Sequence, residues 1–129
     1  EALAAIQQRG ATLILVSSKT RAEMEPLRRS LGNHHSFIVE NGGAVYIPNG
    51  TFPFPLEQAI PRGDYQVVQL GTPYAQLRTA LKDIRQELGS GLRGFGDLPL
   101  EEVIQLTRLS VADTRLAMQR EYDEPFVID

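Results

Sequence analysis

The chain has 129 residues, enough for one domain or two small ones, with an ordinary apolar fraction of 42%. Its formal net charge is -3 without an acidic or basic block, which argues against nucleic-acid binding through a basic face. It has no cysteine, so disulfides and thiolate metal sites are excluded, and no apolar run approaches the roughly 18 residues that span a bilayer. With no visible signal peptide, these features suggest a soluble, cytoplasmic protein without a membrane or nucleic-acid partner.

The opening EALAAIQQRG reads as a helix from its first letter, with Leu3 and Ile6 on one side and Gly10 as the stop. No methionine or cap precedes it, and the chain ends just after an apolar PFVI, which suggests a piece of a longer protein. Residues 11–16, ATLILV, form a continuous apolar run, the pattern of a parallel strand covered on both faces. A second helix follows, with Thr20 as N-cap and Glu23 three residues on, a capping box. Met24, Leu27 and Leu31 share its apolar face, Gly32 closes it, and Pro26 should bend it or delay its start.

FIVENGGAVYIP, residues 37–48, reads as strand, turn, strand, with Asn41-Gly42-Gly43 supplying the positive φ values of a tight hairpin. The proline-rich NGTFPFPLEQAIPRG, residues 49–63, has no clear period and suits a linker. A second unit then reads as strand YQVVQL, a strong helix, strand LRGF, two short helices and strand PFVI, a small open-faced α/β layer. In the strong helix Thr72 is the expected cap, Pro73 the first turn and Gly89 the stop, with a stripe of Tyr74, Leu77, Leu81, Ile84 and Leu88. Ser110, with Asp113 three residues on, is the expected cap of the last helix. The division expected is residues 1–49 and 50–129.

Four clusters carry possible chemistry. Ser17, Ser18, Lys19 and Thr20 sit where a strand ends and a helix begins, so they read either as a plain N-cap with a solvated lysine or as a phosphate pocket. Glu40-Asn41-Gly42-Gly43 is either a hairpin turn or a loop that lets a ligand approach the backbone. Arg115, Arg120, Glu121, Asp123 and Glu124 form either an ion-paired helix end or a set of contacts to carboxylate, phosphate or sugar hydroxyls. LRGFGDLP, residues 92–99, is a tight connection or a ligand-touching loop. His34 and His35 are adjacent, so their side chains diverge and do not suit one metal. No histidine near Ser17 in sequence supports a serine hydrolase.

Taken in order, VSSKTRAEMEPLRRSLG, FIVENGGAVYIP and LAMQREYDEPFVI resemble the mannosyl-3-phosphoglycerate phosphatases, of the Cof-like branch of the haloacid-dehalogenase superfamily. The likeness runs along nearly the whole chain, GFGDL included. It implies an α/β fold: part of a Rossmann-like haloacid-dehalogenase core over 1–49, then a small α/β cap over 50–129. It implies a magnesium-dependent phosphatase that forms an aspartyl-phosphate and converts mannosyl-3-phosphoglycerate to mannosylglycerate, a compatible solute. Ser17 matches the family's second motif and would hold a phosphoryl oxygen, with Ser18 and Lys19 in the same pocket. Asn41, Gly42 and Gly43 match its Glu-Asn-Gly loop, and Arg120 and Glu121 would face the glycerate and sugar.

The nucleophilic Asp-x-Asp motif would precede residue 1, and the later lysine and metal-binding acidic pair would follow residue 129. No metal ligand is therefore expected in this chain, which would not turn over substrate alone. Its open strand edges would let it pair with another copy. Two alternatives stand beside this reading: a phosphatase for glucosyl-3-phosphoglycerate or another sugar phosphate, and a noncatalytic binding or assembly module.

Overall fold

The computed structural model describes residues 2–89 and 91–128. Glu1, where the first helix was expected to begin, lies outside them. Helix α1 spans Ala2–Gln8, and Gly10 takes a left-handed φ of 67° just beyond it. Strand β1 is short, Leu15–Val16, and helix α2 covers Arg21–Ser30. The Thr20 hydroxyl accepts from the Glu23 N–H at 3.1 Å, and Glu23 Oε2 accepts from the Thr20 N–H at 2.9 Å, closing the expected capping box. Pro26 neither delays nor ends this helix, which runs through it to Ser30.

Strands β2 (Phe37–Val39) and β3 (Ala44–Pro48) follow, then β4 (Ala59–Arg62) and β5 (Tyr65–Gln69). Together with β1 they make one sheet in the order β1-β2-β3-β5-β4. The β1–β2 pair is parallel, with Leu15 opposite Phe37, and the other pairs are antiparallel. Helix α3 (Tyr74–Leu88), strand β6 (Leu92–Gly94), helices α4 (Leu100–Thr107) and α5 (Val111–Ala117) and strand β7 (Phe126–Ile128) complete the chain. Strands β6 and β7 form a separate antiparallel pair.

The expected α/β class holds, with corrections in detail. The stretch 49–63 is not all linker: its last residues form β4. An edge strand tolerates Pro61, whose missing N–H takes nothing from a central ladder. Nor do the later strands share one layer, since β5 pairs with β3 and β4 rather than with β6 or β7. The N-cap of α3 is Pro73 itself, one residue later than expected, and no side chain caps it. Ser110 caps α5 as expected, accepting from the Asp113 N–H at 3.1 Å.

The core forms where α2 lies on one face of the sheet. Met24, Phe37, Val39, Ala44, Tyr46, Val67 and Tyr122 are buried together, with Leu15 and Tyr65 against them. Phe37 and Tyr46 stack at 5.3 Å, and the Arg28 guanidinium lies 4.1 Å over Phe37. Met24 carries the α2 contact, while Leu27 is exposed. On α3 Leu81 is buried, but Ile84 and Leu88 are exposed. Strand β1 is not covered on both faces among the described residues: Val16 is 65% exposed because α2 packs on one side only.

The turn between β2 and β3 also differs from expectation. Positive φ values fall on Glu40 (49°), Asn41 (58°) and Gly42 (93°), whereas Gly43 has an ordinary φ of -63°. Gly43 is needed for space instead. A Cβ there would collide with the Tyr122 side chain, and the main chain of Gly71 lies against it as well. Gly43→Ala should therefore cost about 1–3 kcal/mol through overpacking, measured as a lower denaturant midpoint. An unchanged midpoint would show that Tyr122 is free to move away.

Candidate functional site

The main chain after β1 is pinned from both sides. The Ser17 N–H donates to the Ile38 carbonyl at 3.1 Å, extending the parallel pairing by one residue. The Ser17 carbonyl accepts from the Asn41 N–H at 3.2 Å, and the Lys19 carbonyl from the Glu40 N–H at 3.0 Å. The Ser17–Thr20 loop and the Glu40–Gly43 turn thus form one backbone unit at the carboxyl end of β1, the end where open α/β sheets bind ligands.

Within it the Ser17 hydroxyl accepts from the Lys19 N–H at 3.1 Å, which leaves its own proton to donate outward. Ser18 is exposed. The Lys19 ammonium pairs with Glu23 at 3.1 Å and keeps 44% of its side chain exposed. Its partner Glu23 is buried, so the cation is the half of the pair that faces solvent.

The third segment closes over this unit from more than 70 residues away. The Thr20 hydroxyl donates to the Leu116 carbonyl at 2.9 Å, fastening the end of α5 to the start of α2. Arg120 then donates to the Ser18 carbonyl and to Asp123 Oδ1, both at 3.0 Å, and its side chain is only 9% exposed. Phe95 lies beneath its guanidinium at 5.8 Å. Asn41 donates to Asp123 Oδ2 at 3.4 Å. The structure therefore brings Ser17, Ser18, Lys19, Asn41, Gly42, Gly43 and Arg120 around one place.

Glu121 is placed differently. Its carboxylate accepts from Arg21 Nε at 3.1 Å, from the Tyr46 hydroxyl at 2.7 Å and from Arg62 at 2.8 Å. Two arginines neutralise it, and burial plus the bond to Glu121 raises the Tyr46 hydroxyl above its usual pKa. Sequence reasoning gave no role to the residue that holds this segment down. Glu40, only 2% exposed, accepts through Oε1 from the N–H groups of Glu121, Tyr122 and Asp123 at 2.9, 3.1 and 3.4 Å. The one available signal was its place beside Asn41, in a turn already marked.

The loop at 92–99 is an ion-pair cluster. Asp97 binds both Arg78 and Arg85, and it also accepts from the Gly94 N–H at 2.9 Å. Glu124 accepts from Arg78 at 3.0 Å and from the Gly96 N–H at 2.9 Å. Arg115 is exposed and joins none of these contacts. His34 is exposed, while His35 Nδ1 accepts from the Leu13 N–H at 3.0 Å. Among the described residues no group of three His, Cys, Asp or Glu side chains is placed to hold a metal ion. Among the described residues no helix is long and apolar enough to cross a membrane.

No family model matches the chain. Individual relatives do. It is 42% identical over 128 residues to the glucosyl-3-phosphoglycerate/mannosyl-3-phosphoglycerate phosphatase of Methanococcoides burtonii, covering 99% of this chain and 47% of that protein. The chain is a homologue of these phosphatases. It is 36% identical over 124 residues to the protein of the same name in Persephonella marina, covering 96% and 45% of the two chains. It is 40% identical over 119 residues to the mannosyl-3-phosphoglycerate phosphatase of Pyrococcus furiosus, covering 92% and 48%. The chain thus spans about half the length of the curated relatives it matches.

The Asp97 cluster gives a pH test. Hydrogen bonds from Arg78 hold the Asp97 carboxyl well below the usual carboxylate range, against the effect of burial. A depressed folded-state pKa stabilises fully above the unfolded value near 4, and the stabilisation is lost as pH falls toward the depressed value. Asp97→Asn should therefore lower the Tm at pH 7, with the gap from the parent narrowing below about pH 4. A gap independent of pH would assign the effect to packing.

Proposed function

We propose that the whole protein carrying this chain is a phosphatase for a phosphorylated sugar–glycerate, with mannosyl-3-phosphoglycerate as substrate and mannosylglycerate and phosphate as products. One observation carries the reading. Three segments that are far apart in sequence, Ser17–Thr20, Glu40–Gly43 and Arg120–Asp123, meet at the end of β1, in a chain 36–42% identical to such phosphatases.

In this reading the Ser17 hydroxyl donates to a phosphoryl oxygen, and the start of α2 adds the positive end of its dipole. Lys19 exchanges Glu23 for the phosphate, and Ser18 lines the same pocket. Asn41 and the turn through Gly42 and Gly43 form the neighbouring wall. Arg120, already fixed on Ser18 and Asp123, faces the glycerate carboxylate, while Glu121, with its charge offset by Arg21 and Arg62, accepts from sugar hydroxyls. The unit built on α3–α5, β6 and β7 acts as the cap that excludes water and selects the substrate. An aspartate expected outside these residues attacks the phosphorus and forms the aspartyl-phosphate. Magnesium, whose ligands are also expected outside them, would offset phosphate charge when bound.

A second substrate has a specific basis. The M. burtonii and P. marina relatives are named for both glucosyl- and mannosyl-3-phosphoglycerate. The test is phosphate release by the whole protein from each compound, with magnesium and with chelator. Release should require magnesium, and Ser17→Ala should lower kcat by about 100-fold, the scale of losing one preorganised donor. Release that survives chelator, or an unaffected Ser17→Ala variant, would overturn this pocket. The 129 residues alone should release no phosphate from either compound.

A further inference from the structure

Glu40 takes no part in the reaction just outlined, yet its contacts run to both halves of the site. Its N–H is bonded to the Lys19 carbonyl, which ties its main chain to the Ser17–Thr20 loop. Its Oε1 gathers three consecutive N–H groups from one turn, Glu121 to Asp123. That turn directly follows Arg120. We propose that Glu40 is a positioning residue: its carboxyl sets the turn at 121–123 and thereby holds the Arg120 guanidinium over the Ser17–Thr20 loop.

Several features separate this from ordinary core filling. Glu40 is 2% exposed, and its Oε2 is buried without a partner, so the carboxyl is not spent on a second element. Among the described residues no cation pairs with it. The Lys19 ammonium is on Glu23, Arg120 is on Ser18 and Asp123, and Arg21 is on Glu25 and Glu121. A buried carboxylate without a cation is costly, and donors from the backbone are what offset it here. Burial pushes the Glu40 carboxyl above its usual range, the N–H groups pull it back, and neighbouring Asp123 pushes it up again. The main chain of Glu40 itself takes a φ of 49°, unusual for a non-glycine residue and often found where a site is over-determined by its surroundings.

The kinetic part of this inference rests on the phosphatase reading; the structural part does not. The deciding measurement is hydrogen exchange at the amides of Glu121, Tyr122 and Asp123 in the whole protein. Glu40→Gln keeps a carbonyl acceptor and should leave their exchange within about 3-fold of the parent, whereas Glu40→Ala should speed it by about 10-fold or more, with Val45 and Tyr46 little changed. If the alanine variant does not fold, Glu40→Met fills the volume without an acceptor and replaces it.

In kinetics, Glu40→Ala should raise the KM for the sugar-phosphoglycerate by about 10-fold with kcat held within about 3-fold, and adding Arg120→Ala should cost little more, since the two act as one. Unchanged exchange at the three amides in Glu40→Ala, or fully additive effects with Arg120→Ala, would overturn the assignment. If the parent releases no phosphate, the phosphatase reading fails, and the amides alone decide the role of Glu40.

Discussion

Three of the hydrogen bonds that join the early and late segments of this chain end on one carboxylate oxygen. Glu40 Oε1 holds three N–H groups of the turn at 121–123, directly after the Arg120 that donates to the Ser18 carbonyl. The arrangement is reinforced from behind. Gly43 lies so close to Tyr122 that no side chain fits between them, and its carbonyl accepts from both Leu70 and Gly71 at 3.0 and 2.8 Å. The turn between β2 and β3 therefore meets the chain where it leaves the first sheet and where it returns from α5. A cluster of left-handed residues is tolerated there because neighbours on three sides fix it.

The charges follow the same geometry. Arg21, Arg62, Tyr46 and Glu121 form one half-buried network across α2, β3, β4 and the returning turn. Arg78, Arg85, Asp97 and Glu124 form another beneath the second sheet. Between the two networks, Arg120 takes a backbone carbonyl as one partner and a single carboxylate as the other. Arg21 and Arg78 each meet two carboxylates, so of the three Arg120 is the one whose charge is offset least.

What the sequence revealed depended on distance along the chain. The capping box of Thr20 and Glu23, the Ser110 cap and the left-handed Gly89 were all legible because each is completed within a few residues. Strand β4 was not, because Pro61 and the surrounding prolines hide an edge strand that needs little alternation. A continuous apolar run such as that of β1 signals burial without saying which partners supply it, and within the described residues one of its faces stays open. The role of Glu40 was invisible for a different reason: its partners lie 81 to 83 positions away, and no local pattern reports such a contact. The candidate site was read in pieces, through motifs whose likeness to the phosphatases marked them. Their convergence belongs to the tertiary structure.

The shortness of β1 has a consequence of its own. Two residues long, it pairs with β2 alone among the described residues, and Val16 stands largely in solvent. Within these residues a strand so lightly held is expected among the first parts to open in local fluctuations, and the centre around Phe37 and Tyr46 among the last. Within these residues the loop it carries is anchored less by the strand than by its own bonds to Ile38 and to the Glu40–Gly43 turn. A ligand seated there would stabilise the strand by mass action, and part of its binding energy would go into ordering the place where it binds.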